Sequence, residues 1–215
     1  MKIGKKYGVI LCNGRPPGKE QIEQALVSSD LFIAADGGGN HARILGLVPD
    51  IVIGDLDSYL HLDTDDYPII EKSDQNSNDL EKALIYAVEQ QITDITVFGA
   101  TGFRLDHTLK NLSVMKQFNY LFNQLVFLDT YCKTMLIEPA FRQSFPRHTT
   151  LSLFPLSGSV SGINSKGLKY ELNNDTLKNG EFDGSSNETV APEIEITYEK
   201  GDLLLIINHN EETTA

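Results

Sequence analysis

The 215-residue chain holds only two cysteines, Cys12 and Cys132, each inside a short apolar run. Two such thiols read as buried and reduced rather than as a disulfide, argue against cysteine metal ligation, and fit the cytoplasm. No window approaches the roughly 18 apolar residues of a membrane-spanning helix. The N-terminal apolar run is too short for a signal-peptide core, and no small-residue cleavage site follows it. Basic residues are also scarce: 18 Lys and Arg stand against 30 Asp and Glu, a net charge of −12. That balance argues against nucleic acid and an anionic membrane surface as the main partner. It suits a metal ion or a cationic small molecule, although solubility alone would account for it. There is no internal repeat and no low-complexity tract. With 40% hydrophobic and 22% charged residues, the chain can build one large or two small packed cores.

What the sequence does have is two grammars. Up to about residue 142, short apolar runs at 7–12, 31–35, 51–53, 69–72, 95–98 and 125–128 alternate with helical periodicity at 20–28, 40–45, 79–91 and 105–122. The helix over 79–91 is the best marked: Leu80, Ala83, Leu84, Ala87 and Val88 share one face behind Ser77 and Asn78 as possible caps. Continuous apolar strands interleaved with helices predict an α/β unit, a mostly parallel sheet with helices on both faces. From 143 to 215 the runs at 150–154, 160–163, 168–172, 193–198 and 203–207 are separated by Gly, Ser, Asn and Pro. This predicts an all-β sandwich over 143–215 beside an α/β domain over 1–142. Residues 199–202, Glu-Lys-Gly-Asp, read as the turn of a hairpin between its last two strands.

Ligands of an open parallel sheet bind at the carboxyl ends of its strands. Four consecutive runs deliver acid there: Asp36-Gly-Gly-Gly-Asn40, Gly54-Asp-Leu-Asp-Ser58, Ser73-Asp-Gln-Asn-Ser-Asn-Asp79 and Gly99-Ala-Thr-Gly-Phe-Arg-Leu-Asp-His107. Any one of these Asp residues is as readily a cap or turn former. Four at one edge repel one another unless a cation sits among them. Oxygen donors without clustered His or Cys point to Mg²⁺. The glycines after Asp36 would let backbone N–H groups approach phosphate, and Lys82 and Arg104 supply positive charge. His107 reads as a helix support. Two look-alikes fail. Gly14-Arg-Pro-Pro-Gly-Lys19 is one residue short of a phosphate loop, with Glu20 where Ser or Thr belongs, and residues 37–39 lack dinucleotide-fingerprint spacing. The residues therefore describe a metal–polyphosphate site.

In order and spacing, these segments, with Asn78-Asp-Leu-Glu-Lys-Ala83 and Gly102-Phe-Arg-Leu-Asp-His-Thr-Leu-Lys-Asn111, resemble the signatures of thiamine pyrophosphokinases. Gly167-Leu-Lys-Tyr-Glu-Leu172 and Ser185-Ser-Asn187 resemble that family's thiamine-binding segments, so the likeness spans nearly the whole chain. It implies pyrophosphoryl transfer from Mg-ATP to the thiamine hydroxyl by a homodimer. By motif match, Asp36, Asp55, Asp57 and Asp79 would be the metal carboxylates. Asp36, Gly37, Ser58, Gln75, Lys82 and Arg104 would face ATP, and Asp106 would complete the catalytic group with Asp57, Asp79 and Arg104. Tyr170, Ser186 and Asn187 would meet thiamine. Two positions depart from the family pattern. The third segment, usually D-x-T-D, reads Asn76-Ser-Asn-Asp79, and Tyr170 stands where many relatives carry Trp. For the proton of the thiamine hydroxyl, Asp57, Asp79 and Asp106 are all candidates. Two rival readings use the same residues: an Mg²⁺ phosphohydrolase, and a non-catalytic thiamine- or nucleotide-binding module.

Overall fold

The computed structural model describes residues 4–209. The chain divides into two compact units, Met1–Thr130 and Tyr131–Ala215. In the first, every predicted strand forms: β1 (Tyr7–Leu11), β2 (Leu31–Ala35), β3 (Ile51–Gly54), β4 (Ile69–Glu71), β5 (Asp94–Phe98) and β6 (Gln124–Leu128). They pair in parallel in the order β6-β5-β1-β2-β3-β4. The connecting helices are α1 (Lys19–Leu26), α2 (Gly38–Ile44), α3 (Asp79–Glu89) and α4 (Leu105–Phe118), with a 3₁₀ turn over Asn119–Leu121 where a longer helix was predicted.

Strand side chains alternate between faces, so full burial of successive residues means that both faces are covered. Val9 and Leu11 pack with Ile22 of α1 and Ala42 of α2, while Ile10 between them is equally buried. Chain order then reverses at β1, which lies between β2 and β5. At such a switch point the loops after neighbouring strands diverge and leave a crevice. The acidic segments follow β2 and β3 and precede α3 and α4, so the topology gathers them at that crevice.

The second unit is the expected antiparallel sandwich, with one sheet ordered β12-β9-β14-β7 and a second ordered β11-β10-β13-β8. The strands are β7 (Cys132–Leu136), β8 (Ala140–Ser144), β9 (Thr150–Pro155), β10 (Ser159–Lys166), β11 (Asn173–Lys178), β12 (Gly184–Glu188), β13 (Glu193–Thr197) and β14 (Leu203–Asn208). Two local expectations are corrected. Residues 199–202 do not close a hairpin, because β13 pairs with β8 and β10 while β14 pairs with β7 and β9. The turn carries the chain from one sheet to the other, which an alternating pattern on both sides does not distinguish. Residues 168–172 are not a strand either; Leu168 and Leu172 are buried from a loop, and β11 begins just after it.

Candidate active site

Asp36 follows β2 with φ 46°, a left-handed turn that leaves the residue only 2% exposed. Its oxygens accept from the backbone N–H groups of Ser58 and Tyr59, each at 3.2 Å. Asp55 follows β3, and its own N–H donates to Asp79 Oδ1 at 3.3 Å. Oxygens of Asp36, Asp55 and Asp79 lie within 4.8 Å of one another. Burial first, and then the nearby Asp79 carboxylate, raise the Asp36 pKa above the ordinary range, against a hydrogen bond from the Gly37 backbone. Lys82, 5% exposed on α3, partly balances this charge from 3.2 Å to Asp79 and 3.7 Å to Asp55. Three carboxylates against one ammonium leave an excess of negative charge. An all-oxygen donor set carrying that excess fits a divalent cation, Mg²⁺ above others.

Two glycines make this convergence possible. A Cβ on Gly38 would stand 2.0 Å from the Leu11 carbonyl oxygen, so α2 can press on β1 only without one. A Cβ on Gly54 would meet Asp36 Cβ at 2.7 Å and Asp79 Oδ1 at 3.1 Å. Close packing thus accounts for Gly38 without a phosphate.

The remaining predicted residues sort by geometry. Asp57 is exposed on the β3 loop and accepts from Ser58 Oγ at 2.9 Å, outside the trio. Gln75 Nε2 donates to Asp55 Oδ2 at 3.4 Å and so orients a carboxylate. Arg104 grips Asp106 in a two-point ion pair, Nε–Oδ1 3.1 Å and Nη2–Oδ2 2.5 Å, both side chains exposed. That hydrogen bond holds the Asp106 pKa below the usual carboxylate range. A cleft of about 420 Å³ is lined by Asp79, Ser58, Gly102, Arg104 and His107. In the second unit Asn187 is spent on Tyr170: its Oδ1 accepts from the Tyr170 N–H at 3.1 Å and its Nδ2 donates to the Tyr170 carbonyl at 2.7 Å. Ser186, at φ 58°, donates its N–H to Ser152 Oγ at 3.0 Å. The Tyr170 ring stands 63% exposed with the Lys169 ammonium 5.8 Å from its centroid.

Sequence reasoning left positions 76 and 78 open, and the structure explains both. Asn78 is the N-cap of α3 in a reciprocal capping box with Glu81. Its amide also donates to Asn111 Oδ1 at 2.8 Å, and Asn111 donates to the Ala100 carbonyl at 2.7 Å. Asn76 donates to the Asp74 carboxylate within its own turn. Asn78 therefore ties α3 to α4 and the β5 loop, which a threonine is too short to do.

A brace under the β3 loop was not foreseen. Asp65, with a side chain 5% exposed, accepts from Tyr59 Oη at 2.6 Å, Tyr67 Oη at 3.0 Å, the Leu62 N–H at 2.7 Å and Arg43 Nη2 at 2.9 Å. Asn40 clamps the same loop, donating to the Ser58 carbonyl at 2.8 Å and accepting from the Leu60 N–H at 3.0 Å. Tyr59 is the residue whose N–H holds Asp36, so the brace fixes the Asp36 carboxylate at one remove. Burial would raise the Asp65 pKa, but hydrogen bonds led by Tyr59 outweigh it and hold it well below the usual range. A depressed folded-state pKa adds stability above the unfolded value near ~3.9, and that stability is lost as pH falls through the folded value. Asp65→Asn should cost about 2–4 kcal/mol at neutral pH, and the gap to wild type should close on acidification in urea titrations. A gap that holds constant down to pH ~3 would contradict the brace.

Comparison with known proteins is consistent with this geometry. Residues 22–127 match the family model "Thiamin pyrophosphokinase, catalytic domain", and residues 140–203 match "Thiamin pyrophosphokinase, vitamin B1 binding domain". Thiamine pyrophosphokinase 2 of Arabidopsis thaliana is 29% identical over 95% of this chain and 87% of its own length. Thiamine pyrophosphokinase of Bacillus subtilis (strain 168) is 26% identical over 82% and 86%. Among solved structures, thiamin pyrophosphokinase from Candida albicans superposes with TM-score 0.85 at 18% identity, covering 96% of this chain and 90% of that one. The Bacillus subtilis structure gives 0.80 at 22%, covering 96% and 100%.

Proposed function

Since the chain belongs to the thiamin pyrophosphokinase family and is thereby an enzyme that moves pyrophosphate onto thiamine, we propose that ATP is its donor and that Asp36, Asp55 and Asp79 hold Mg²⁺ in the crevice of the α/β unit. The convergence of those three carboxylates carries this reading, since nothing in the fold alone requires three acids within 4.8 Å. Bound there, Mg²⁺ would neutralise charge on the phosphates being cleaved. Neither a phosphohydrolase nor a binding module is favoured by the relatives.

The chain's own residues divide the rest of the work. Thiamine's hydroxyl oxygen bonds to the β-phosphorus, the bond from that phosphorus to the α-phosphate oxygen breaks, and AMP leaves with the electron pair. The hydroxyl proton needs an acceptor. Asp79 is committed to the cation and Asp106 to Arg104, so Asp57 is the carboxylate left for it. Arg104 offers the phosphates the guanidinium N–H groups that its pair with Asp106 leaves over. Lys82 holds Asp55 and Asp79 in register rather than meeting the nucleotide directly. Tyr170, fixed by Asn187, offers its face to the cationic thiazolium, and Ser186 flanks it. The same reading takes the protein as a homodimer of the cytoplasm; the buried free thiol of Cys12 suits a reducing compartment.

Incubation with Mg-ATP and thiamine should give AMP in step with thiamine diphosphate, resolved by ion-exchange chromatography. ADP in place of AMP would make the chain a monophosphoryl kinase, and thiamine-independent phosphate release would make it a hydrolase.

A further inference from the structure

Phe103 is a large apolar side chain left 74% exposed, on backbone at φ 52°. A left-handed conformation is costly for a bulky residue and persists only where its surroundings enforce it. Here they do: Gly14 N–H donates to the Gly99 carbonyl at 2.8 Å and Arg15 N–H to the Thr101 carbonyl at 2.9 Å, pinning the loop from its other side. The ring this loop presents lies nearly parallel to His41 of α2, centroids 6.5 Å apart and planes 25° apart. That separation is at the far end of the range of about 4.5–7 Å over which aromatic rings attract, so the two rings do not saturate each other. Both line the cleft that Asp79 and Arg104 also line.

We propose that His41 and Phe103 form the base subsite, on which the heteroaromatic base of the nucleoside triphosphate stacks while its phosphates run toward the carboxylate trio. This rests on the donor reading above. A nucleoside triphosphate has a planar apolar end and a polyanionic end; the cleft offers the aromatic rings of His41 and Phe103 to the first, and Arg104 and a cation held by Asp79 would meet the second. Thiamine also carries planar rings. Its recognition, however, belongs with the stretch that matches the vitamin-B1-binding model, residues 140–203, whereas His41 and Phe103 both lie within the catalytic stretch 22–127. Stacking on an aromatic face is tolerant of base identity, so GTP should substitute for ATP with only modest loss.

The test separates base from phosphate. Phe103→Ala and His41→Ala should each raise the ATP Kd and KM about tenfold, by calorimetry and steady-state rates with Mg²⁺. The Kd of inorganic tripolyphosphate, which has no base, should not move, nor should the thiamine KM. Phe103→Tyr should restore ATP affinity. Tripolyphosphate weakening in parallel with ATP, a rise in thiamine KM alone, or no change at all would each overturn the subsite. If the variants lose nothing while wild type still forms AMP from ATP and thiamine, only the subsite falls. If wild type forms no AMP, the donor reading falls with it.

Discussion

Asp79→Asn is expected to lower kcat by about 10²–10³ while leaving the protein at least as stable as wild type without metal. The loss follows from position. Asp79 is the member of the trio that also lines the cleft, and its Oδ1 receives both the Asp55 N–H at 3.3 Å and the Lys82 ammonium at 3.2 Å. Asparagine keeps the shape but removes the charge, so a cation loses one of its three anionic partners. The helix survives, because the capping box belongs to Asn78 and Glu81. Removing a carboxylate that presses on buried Asp36 relieves repulsion. Melting temperature without Mg²⁺ should therefore hold or rise, and the rise expected of wild type on adding Mg²⁺ should be largely absent. Asp57→Asn is the counterpart: kcat should fall with the Mg²⁺ activation curve in place, as for a proton acceptor beside the metal. Turnover of Asp79→Asn within about fivefold of wild type would remove the trio from the mechanism.

How far the sequence foretold this differs from element to element. The parallel sheet was legible because its strands are buried on both faces and read as unbroken apolar runs, Val9 to Leu11 and Phe32 to Ala35 among them. The carboxylates were legible because strand ends of such a sheet face one edge. β8 was not legible: of Ala140–Ser144 only alternate residues turn inward and Phe141 is its single large apolar side chain, so the period-2 signal has little to register. Asp65 and Tyr59 were missed for a different reason. Tyr59, Asp65 and Tyr67 share the loop between β3 and β4, but Arg43 comes from α2, and no local spacing announces a hydrogen-bond network that closes only when helix and loop meet. Asn78 and Asn111 sat inside recognised segments, yet their mutual bond exists only once α3 and α4 are set side by side. Phe103 was visible as a residue and silent as a signal, since nothing in a sequence reports a left-handed backbone at a non-glycine position.

Gly54→Ala should be nearly as damaging to catalysis as loss of a carboxylate, through one methyl group that touches no substrate. Its Cβ would sit 2.7 Å from Asp36 Cβ and 3.1 Å from both Asp36 Cα and Asp79 Oδ1. The strand cannot retreat to make room. The Gly54 carbonyl accepts from Lys72 N–H at 2.7 Å on one side, and on the other the preceding Ile53 carbonyl accepts from Asp36 N–H at 2.9 Å. β3 is thus pinned between β2 and β4, and the methyl group is accommodated by displacing Asp36, Asp79 or both. Overpacking of this kind costs about 1–3 kcal/mol, which a fully formed α/β core can absorb. A cation site cannot absorb it, because Mg²⁺ demands near-ideal octahedral geometry with ligands at about 2.0–2.1 Å. The Mg²⁺ concentration for half-maximal activity should rise about tenfold or more and kcat should fall by about 10². Circular dichroism should remain that of wild type, with a modestly lower melting temperature. A folded Gly54→Ala protein with unchanged Mg²⁺ activation would mean that the spacing of Asp36 and Asp79 is not what governs the metal. The two substitutions act on the same geometry from opposite sides, charge without shape and shape without charge. In the Asp79→Asn background Gly54→Ala should therefore add little further loss of kcat, the non-additivity expected of residues that work as one unit.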